Sequence, residues 1–531
     1  MSFDKEWMLE CILLKMRSPK LYEYIRRQKI LVLPSRTTIR KYLSNYMGSF
    51  GFNENMLQTL RKKTSAMDTF KCQGGLIVDE MSLSEHLSVD TAGKITGFVD
   101  LGPYTPKDQT RLLSNHGLVV MFVPLVGNWT QILGVFATHT NIKGDILAKI
   151  ILDATVLAER AGLFVIYVTC DAASWNRKMW RMMGVKATRK EIVAKRVHPS
   201  DNKRYLHFLS DFPHLVKNLR NRLLQTAFDT PDGKVSLEPL KEALKLDSNN
   251  LTLKAMPRLT TVHLEPNNFE KMRTSFAFQL FSADTLRGLQ LYKPQLERRC
   301  GDTAATQKFF RMMKSLIAAM TSRFPAEALK PNSSAVHELM NFLDYLNKWE
   351  DHAEKGKFLS DSTAEGLRVT ITSTLALLNY LHSELGFSYV MTSRLSQDKL
   401  ESTFGIVRQS SGCNARPCPQ QFLITINCLS YYNLAKSVTG SNVPEDVINS
   451  LLSVKDQPSG CRKQQQVVDA LINMGNLDGA QAALETQGDT LTHSYNTQRK
   501  ATISFHSAKM FEIIARAYYA LRGRLQASSA R

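Results

Sequence analysis

Two aspartates stand where short β-branched runs end. Leu76-Ile77-Val78 opens after Gly74-Gly75 and leads into Asp79, and Leu163 to Thr169 leads through Cys170 into Asp171. Runs of that length and composition read as buried strands, and a carboxylate at the end of one is delivered to a sheet edge. Further acidic groups lie in Ser396-Gln397-Asp398-Lys399-Leu400-Glu401-Ser402-Thr403-Phe404-Gly405. Wound as a helix, this segment puts Leu400, Phe404 and Val407 on one side and Asp398, Glu401, Gly405 and Arg408 on the other. One face packs and the other carries carboxylates. Gly405 leaves room beside Glu401 for another backbone, a metal or a phosphate, and Ser396 is the expected N-cap.

Alternating strand and helix signals position these groups. Leu87 to Val89 and Ile95 to Leu101 flank Asp90-Thr91-Ala92-Gly93-Lys94, whose glycine suits a tight hairpin turn. Leu118 to Val126 continues the meander and Ile132 to Ala137 extends it. From Asp145 to Ala161, Ile146, Leu147, Ile150, Ile151, Ala154 and Leu157 recur at helical spacing, and Gly162 follows as a C-cap. Three antiparallel strands, a crossover helix and a strand parallel to the first would place Asp79 and Asp171 at the carboxyl ends of neighbouring strands, where open sheets form their sites. Glu80 is expected on the opposite face from Asp79, because side chains alternate along a strand. Asp90 and Asp100 lie at strand ends, where solubilising acids are common.

The composition narrows the class. A hydrophobic content of 43% supports globular cores, and the length suffices for more than one domain. A formal net charge of +20 favours a polyanionic partner, nucleic acid before membrane surface. The eight cysteines form no CxxC pair, so neither a disulfide framework nor a zinc ribbon is readable, and a reducing compartment is expected. Asp4 and Glu6 spoil a secretory signal, and no run offers the roughly 18 apolar residues of a membrane span. A protein of the cytosol or nucleus is expected.

Along the chain, residues 1 to 68 read as helical, around Trp7 to Met16, Leu21 to Arg27 and Thr37 to Met47. Arg36, Arg40 and Lys41 on the third segment suit either a helix-turn-helix reading head or the solvated face of a helical cap. Residues 186 to 222 hold ten Lys or Arg against three Asp or Glu. With Tyr205, His207 and Phe208 interleaved, this stretch suits a groove that tracks phosphates. Asp211-Phe212-Pro213-His214 reads as a turn opening a helix that carries Lys217, Arg220 and Arg222. Residues 223 to 390 are mostly helical and contain no GxxxxGK[ST]. A linker is expected at 454 to 463, and helices at Gln464 to Leu484 and Phe505 to Leu521.

Taken in order, Val78-Asp79-Glu80-Met81-Ser82, then Cys170-Asp171-Ala172-Ala173-Ser174-Trp175-Asn176, then the helix from Asp211 to Asn221, then Asn267 to Arg273, then Ser396 to Gly405 form a series that resembles the P-element family of DNA transposases, including the THAP-domain transposase relatives. The resemblance runs from about Ser18-Pro19 to Phe422. It implies an α/β fold, an RNase H-like mixed-sheet core interrupted by a mostly helical GTP-binding insertion domain, with helical N- and C-terminal regions. The corresponding divisions are 1–68, 69–222, 223–390, 391–440 and 441–531.

By motif match, the resemblance makes Asp79, Asp171 and Glu401 the catalytic triad and the ligands of Mg²⁺ or Mn²⁺. Paired metal ions activate an attacking hydroxyl and stabilise the leaving oxygen of an in-line phosphoryl transfer, which explains the demand for shared carboxylates. It also implies GTP as cofactor, contacted by Asp398 and by Asp344 and Asn347 in Phe342-Leu343-Asp344-Tyr345-Leu346-Asn347. Lys254 or Lys271 would reach a phosphate. Asp398 also suits a helix N-terminus simply as a negative charge. The implied activity is DNA strand cleavage and strand transfer in the nucleus by a homo-oligomer, on transposon ends and target DNA, with no membrane partner. Relatives usually carry an N-terminal THAP zinc finger of three cysteines and a histidine. The sequence begins without one, which leads to the expectation of a truncated copy, a gene missing its first exon, or a domesticated DNA-binding or regulatory derivative without catalysis.

Overall fold

The computed structural model describes residues 3–43, 48–89, 95–250 and 253–435. The expected linker at 454 to 463, the two expected tail helices, the whole 441–531 division, Asp90 and Cys461 lie outside the described residues. The chain opens with helices α1 (Lys5–Arg17), α2 (Pro19–Arg27) and α3 (Arg36–Leu43), a two-residue strand β1 (Gly51–Phe52) and α4 (Glu54–Ser65). The sheet is then built from β2 (Gln73–Ser82), a side ribbon of β3 (Ser88–Val89) and β4 (Ile95–Thr96), β5 (His116–Pro124), β6 (Gln131–Thr138), helix α5 (Gly144–Arg160) and β7 (Phe164–Cys170). After α6 (Ser174–Met182) come a ribbon of β8 (Lys186–Ala187) and β9 (Ile192–Val193), then β10 (Lys195–His198) and β11 (Asp201–Ser210).

The main sheet has seven strands in the order β1-β6-β5-β2-β7-β11-β10. β2 pairs parallel with β7 and β7 with β11, while the other neighbours are antiparallel. The crossover is the expected helix. Ile146, Leu147, Ile150, Ile151, Ala154 and Ala158 bury one side of α5 in the sheet's core. Gly162 takes φ +80°, and Gly162 N and Leu163 N donate back to Glu159 O and Ala158 O, a glycine-ended helix stop that turns the chain straight into β7.

The meander differs from expectation in its second member. β3 and β4 do pair, but as a ribbon outside the main sheet, and β2 pairs with β5 instead; the expected turn between them, 90–94, lies outside the described residues. Val89 and Ile95 are 68% and 54% exposed, so this segment has too little apolar surface to enter the core, whereas every residue from Gly117 to Pro124 is buried.

Beyond β11 the chain leaves the sheet through α7 (Phe212–Gln225) and a hairpin of β12 (Phe228–Thr230) and β13 (Gly233–Val235). The helices α8 (Glu238–Ser248), α9 (Thr261–Leu264), α10 (Asn268–Lys271), α11 (Thr274–Leu280), α12 (Ala283–Leu291), α13 (Lys293–Cys300), α14 (Ala304–Met320), α15 (Ser334–His352) and α16 (Asp361–Ser383) follow. They bury their own core around Phe228, Phe309, Phe342 and Trp349. α16 returns along the sheet, where Ser373 Oγ donates to Phe208 O at 2.6 Å and Thr370 Oγ accepts from Ser210 N at 2.9 Å. A 3₁₀ turn at Thr392–Leu395 then leads into α17 (Asp398–Ser410) and α18 (Pro419–Ala435).

The N-terminal helices pack onto the sheet: Met8, Ile12, Tyr22 and Ile39 belong to the same core. Arg36 is tied to Glu23 at 2.9 Å. The buried Lys63 of α4 donates to Asn433 O and Leu434 O, neutralising the carbonyl end of α18. No described helix is long and apolar enough to cross a membrane.

Candidate active site

Strand register brings three aspartates into a row. β2 runs on through Ser82, so Asp79 does not end its strand as expected; what ends is its neighbour. The β2–β7 pairing stops at Ile77 opposite Thr169, and β7 itself ends at Cys170. Continuing that register sets Asp79 level with Asp171. On the other side of β7, Ser210 pairs with Cys170, which sets Asp211 level with Asp171 as well. Parallel neighbours lie about 4.8 Å apart, so the tops of β2, β7 and β11 carry Asp79, Asp171 and Asp211 side by side.

Each is held locally. Asp79 Oδ1 accepts from Glu80 N at 2.8 Å. Asp171 Oδ1 accepts from Ala173 N at 2.9 Å and from the Asn176 side chain, which locks it at the start of α6. Glu401 arrives on α17, whose Leu400, Phe404 and Val407 are buried while Asp398, Glu401 and Arg408 are exposed, as the wheel predicts. A side chain at Gly405 would meet nothing within 4 Å, so the room expected beside Glu401 is there. Gln397, not Ser396, holds the N-cap position; Ser396 Oγ donates to Ser393 O and accepts from Asp398 N at 3.4 Å.

The electrostatics are those of crowded acids. Burial, reinforced by the charges of Asp171, Glu401 and Asp211, pushes the Asp79 carboxyl up to about 8. Glu401 is half-exposed, and its partial desolvation raises its carboxyl too, aided by Asp211 and opposed by His214 and Lys217. His214 Nε2 stands 3.5 Å from Glu401 Oε1. Lys217, one turn along α7, is buried; desolvation lowers its amine, while Asp211, Asp171 and Glu401 favour its charge. His214, Lys217 and Asp211 were not anticipated as site residues. Their signal was the Asp-x-Pro-His start of a basic helix, which reads as a cap and a turn until β11 is aligned with β7.

Glu80 behaves differently from the simple alternation argument. It faces away from Asp79, yet burial and the charges of Asp79 and Asp171 push it up to about 8, and one of its oxygens is buried without a hydrogen-bond partner among the described residues. Strand alternation separates side chains by face and does not screen charge.

The donor set fits a hard divalent cation in kind: carboxylate oxygens whose mutual repulsion a cation would relieve. Among the described residues, no three His, Cys, Asp or Glu side chains already stand at metal-ligand spacing. The other expected ligand contacts are placed more loosely. Asp398 pairs with Arg323 at 3.2 Å, Asp344 with Lys348 at 3.2 Å, and Asn347 Oδ1 accepts from the buried Arg368 at 3.0 Å. No hydrogen bond or ion pair among the described residues joins Asp398 to Asp344 or Asn347. In the basic stretch, Tyr205 is exposed beneath Lys195, whereas His207 and Phe208 are buried in β11, so the expected aromatic interleaving reduces to one ring.

Comparison with known proteins agrees with this architecture. Residues 48–184, 213–331 and 393–424 match family models described as the TNP-like RNase H N-terminal domain, the TNP-like GTP-binding insertion domain and the TNP-like RNase H C-terminal domain. The chain is 24% identical over 461 residues to the Transposable element P transposase of Drosophila melanogaster, covering 84% of this chain and 56% of that one. It is 24% identical over 471 residues to the DNA transposase THAP9 of Homo sapiens, covering 84% and 49%. It thus spans about half the length of these curated relatives. A structure of the Drosophila P element transposase strand transfer complex superposes with a TM-score of 0.65 at 22% identity, covering 81% of this chain and 92% of that one. With its RNase H-like halves separated by a GTP-binding insertion domain, the chain belongs to the P-element-type transposase family.

Proposed function

We propose that the protein is a divalent-metal-dependent DNA transposase that cleaves and joins DNA strands with Asp79, Asp171 and Glu401. The observation that carries this reading is the convergence of these carboxylates from β2, the end of β7 and α17, with Asp79 held in their combined negative field. In this reading Asp79, Asp171 and Glu401 hold Mg²⁺ or Mn²⁺. When bound, such ions supply charge neutralisation at the attacking and leaving oxygens of a phosphoryl transfer. The chain's own groups do the rest. Asn176 and the Ala173 amide orient Asp171, and His214 faces Glu401. Lys217 adds a positive charge beside the acids, suited to a phosphate oxygen.

DNA is the proposed substrate, both transposon ends and target, which places the protein in the nucleus, and the excess of basic residues supports a backbone-tracking mode of binding. GTP is the proposed cofactor of the insertion, with Asp398, Asp344 and Asn347 as contacts. Asp398 faces the insertion through Arg323, which supports its part in that reading. A homo-oligomer is also proposed, on the sequence resemblance alone.

The test is strand cleavage and joining on labelled DNA with Mg²⁺ or Mn²⁺. Asp79→Asn, Asp171→Asn and Glu401→Gln should each reduce cleavage by orders of magnitude while DNA binding persists. Retained cleavage after Glu401→Gln would sink the triad. Absence of both cleavage and metal affinity in the unaltered protein would favour a DNA-binding derivative of a transposase.

A further inference from the structure

Asp211 is the least exposed acid of the row, at 1%. Its two oxygens serve two helices far apart in sequence: Oδ2 accepts from His214 N at 3.2 Å, at the start of α7, and Oδ1 accepts from Gln397 N at 2.8 Å, at the start of α17. Its own amide donates to Cys170 O at 2.8 Å, the residue before Asp171. Gln397 is fully buried and extends the link, because its side-chain Nε2 donates to Val78 O at 2.6 Å, the residue before Asp79. Gln397 O in turn accepts the amide of Glu401 at 2.9 Å. Glu401 is therefore one hydrogen bond from the Asp211–Gln397 pair, and Asp79 and Asp171 are each one hydrogen bond and one residue from it.

A helix is ordinarily capped by the residue just before it, and a serine hydroxyl does this without burying a charge. Here Ser396 Oγ donates to Ser393 O at 2.9 Å and reaches the Asp398 amide only at 3.4 Å, while the Gln397 amide takes its acceptor from elsewhere. The closer acceptor at the start of α17, for the Gln397 amide, comes from the far side of the whole insertion, and burial pushes that carboxyl up to about 6. An arrangement more costly than a local cap, made at the junction where the insertion leaves and re-enters the sheet, points to a geometric role.

We propose that Asp211 is a positioning residue: through Gln397 it sets the register of Glu401 against the strand-borne Asp79 and Asp171. This rests on the reading of those three as catalytic. The occupied oxygens and the burial of Asp211 distinguish it from a further metal ligand.

Asp211→Asn tests it. An asparagine keeps one acceptor oxygen and turns an amino group toward the other amide, so one of the two helix starts loses its bond. In the full chain without metal, amide exchange across the first turn of α17 should rise about 10- to 100-fold, as expected for losing a bond to a charged group, with β2 and β5 unchanged. At saturating DNA, the single-turnover cleavage rate should fall at least about tenfold while DNA affinity stays within about twofold. If Asn retains the α17 bond and releases α7 instead, exchange in α17 stays as it was and the proposal is wrong. It is equally wrong if α17 loosens without slowing cleavage, or if protection is lost evenly across the sheet. Should Asp211→Asn fail to fold, Gln397→Met decides, since it removes only the bond to Val78 O: slowed cleavage with unchanged DNA affinity supports the link, and unchanged cleavage overturns it. A chain that never cleaves defeats the functional reading instead, and the exchange measurement still decides the tether.

Discussion

Replacing Asp79 by Asn should stabilise the metal-free protein at neutral pH while removing a group proposed to be essential. In an unfolded chain this carboxyl titrates near 3.8; in the folded protein burial and the neighbouring acids push it up to about 8. At pH values below both, it is protonated in either state and contributes nothing. Between them the native state keeps a proton that the unfolded chain has released, so stability falls as pH rises, by up to about 1.4 kcal/mol per pH unit. From pH ~4 to pH ~7 that slope accumulates to roughly 4 kcal/mol, and relaxation and water entry reduce the observable part to about 1–3 kcal/mol. Asparagine keeps an oxygen for the Glu80 amide and carries no charge. Thermal unfolding in chelator, from about pH 5 to about pH 8.5, should therefore show the two proteins drawing together in acid and the variant melting several degrees higher at the alkaline end. Added Mg²⁺ should stabilise the unaltered protein and narrow the gap. Melting curves that run parallel across the pH range would refute the electrostatic account of the site.

Other expectations follow from the same geometry. Asp398→Ala should weaken GTP binding in isothermal titration and leave metal affinity intact, and because its pair with Arg323 is exposed on both sides, stability should change by less than about 1 kcal/mol; unchanged GTP affinity would remove Asp398 from the nucleotide site. DNA affinity should fall steeply as salt is raised, given the net charge of +20, and a flat salt titration would contradict backbone tracking. Glu80→Gln should leave cleavage at its optimum within a few-fold, since alternation along β2 turns the side chain to the other face; a loss as severe as that of Asp79→Asn would place Glu80 inside the site.

Much of the sheet was legible because its signals are local. Leu76 to Val78 and Leu163 to Thr169 are short, β-branched and bounded by turn residues, and α5 announces itself by apolar spacing and by Gly162. The two faces of α17 were legible for the same reason, since a helical wheel needs only the residues it contains. Those features brought out Asp79, Asp171 and the acidic face of α17, from which the resemblance picks Glu401. The ribbon of β3 and β4 was misplaced because a hairpin turn is a local signal, whereas membership of the main sheet depends on whether the flanking residues can bury their side chains.

Partnership across the chain could not be read in this way. Asp211 looks like an ordinary cap for α7, and so it is, but its second oxygen serves the start of α17, at Gln397, 186 residues later. Glu80 looks silent by alternation, yet the low-dielectric interior carries the charges of Asp79 and Asp171 to it. His207 and Phe208 look like part of a binding stretch until the pairing of β11 with β7 puts them in the core. By itself the sequence determined which segments become strands and helices and which carboxylates they carry, because propensity and periodicity act over a few residues. Which of those carboxylates stand level, what caps the helix of Glu401, and how far each charge reaches were decided only by tertiary structure, because strand register, burial and electrostatics couple groups that the chain keeps far apart.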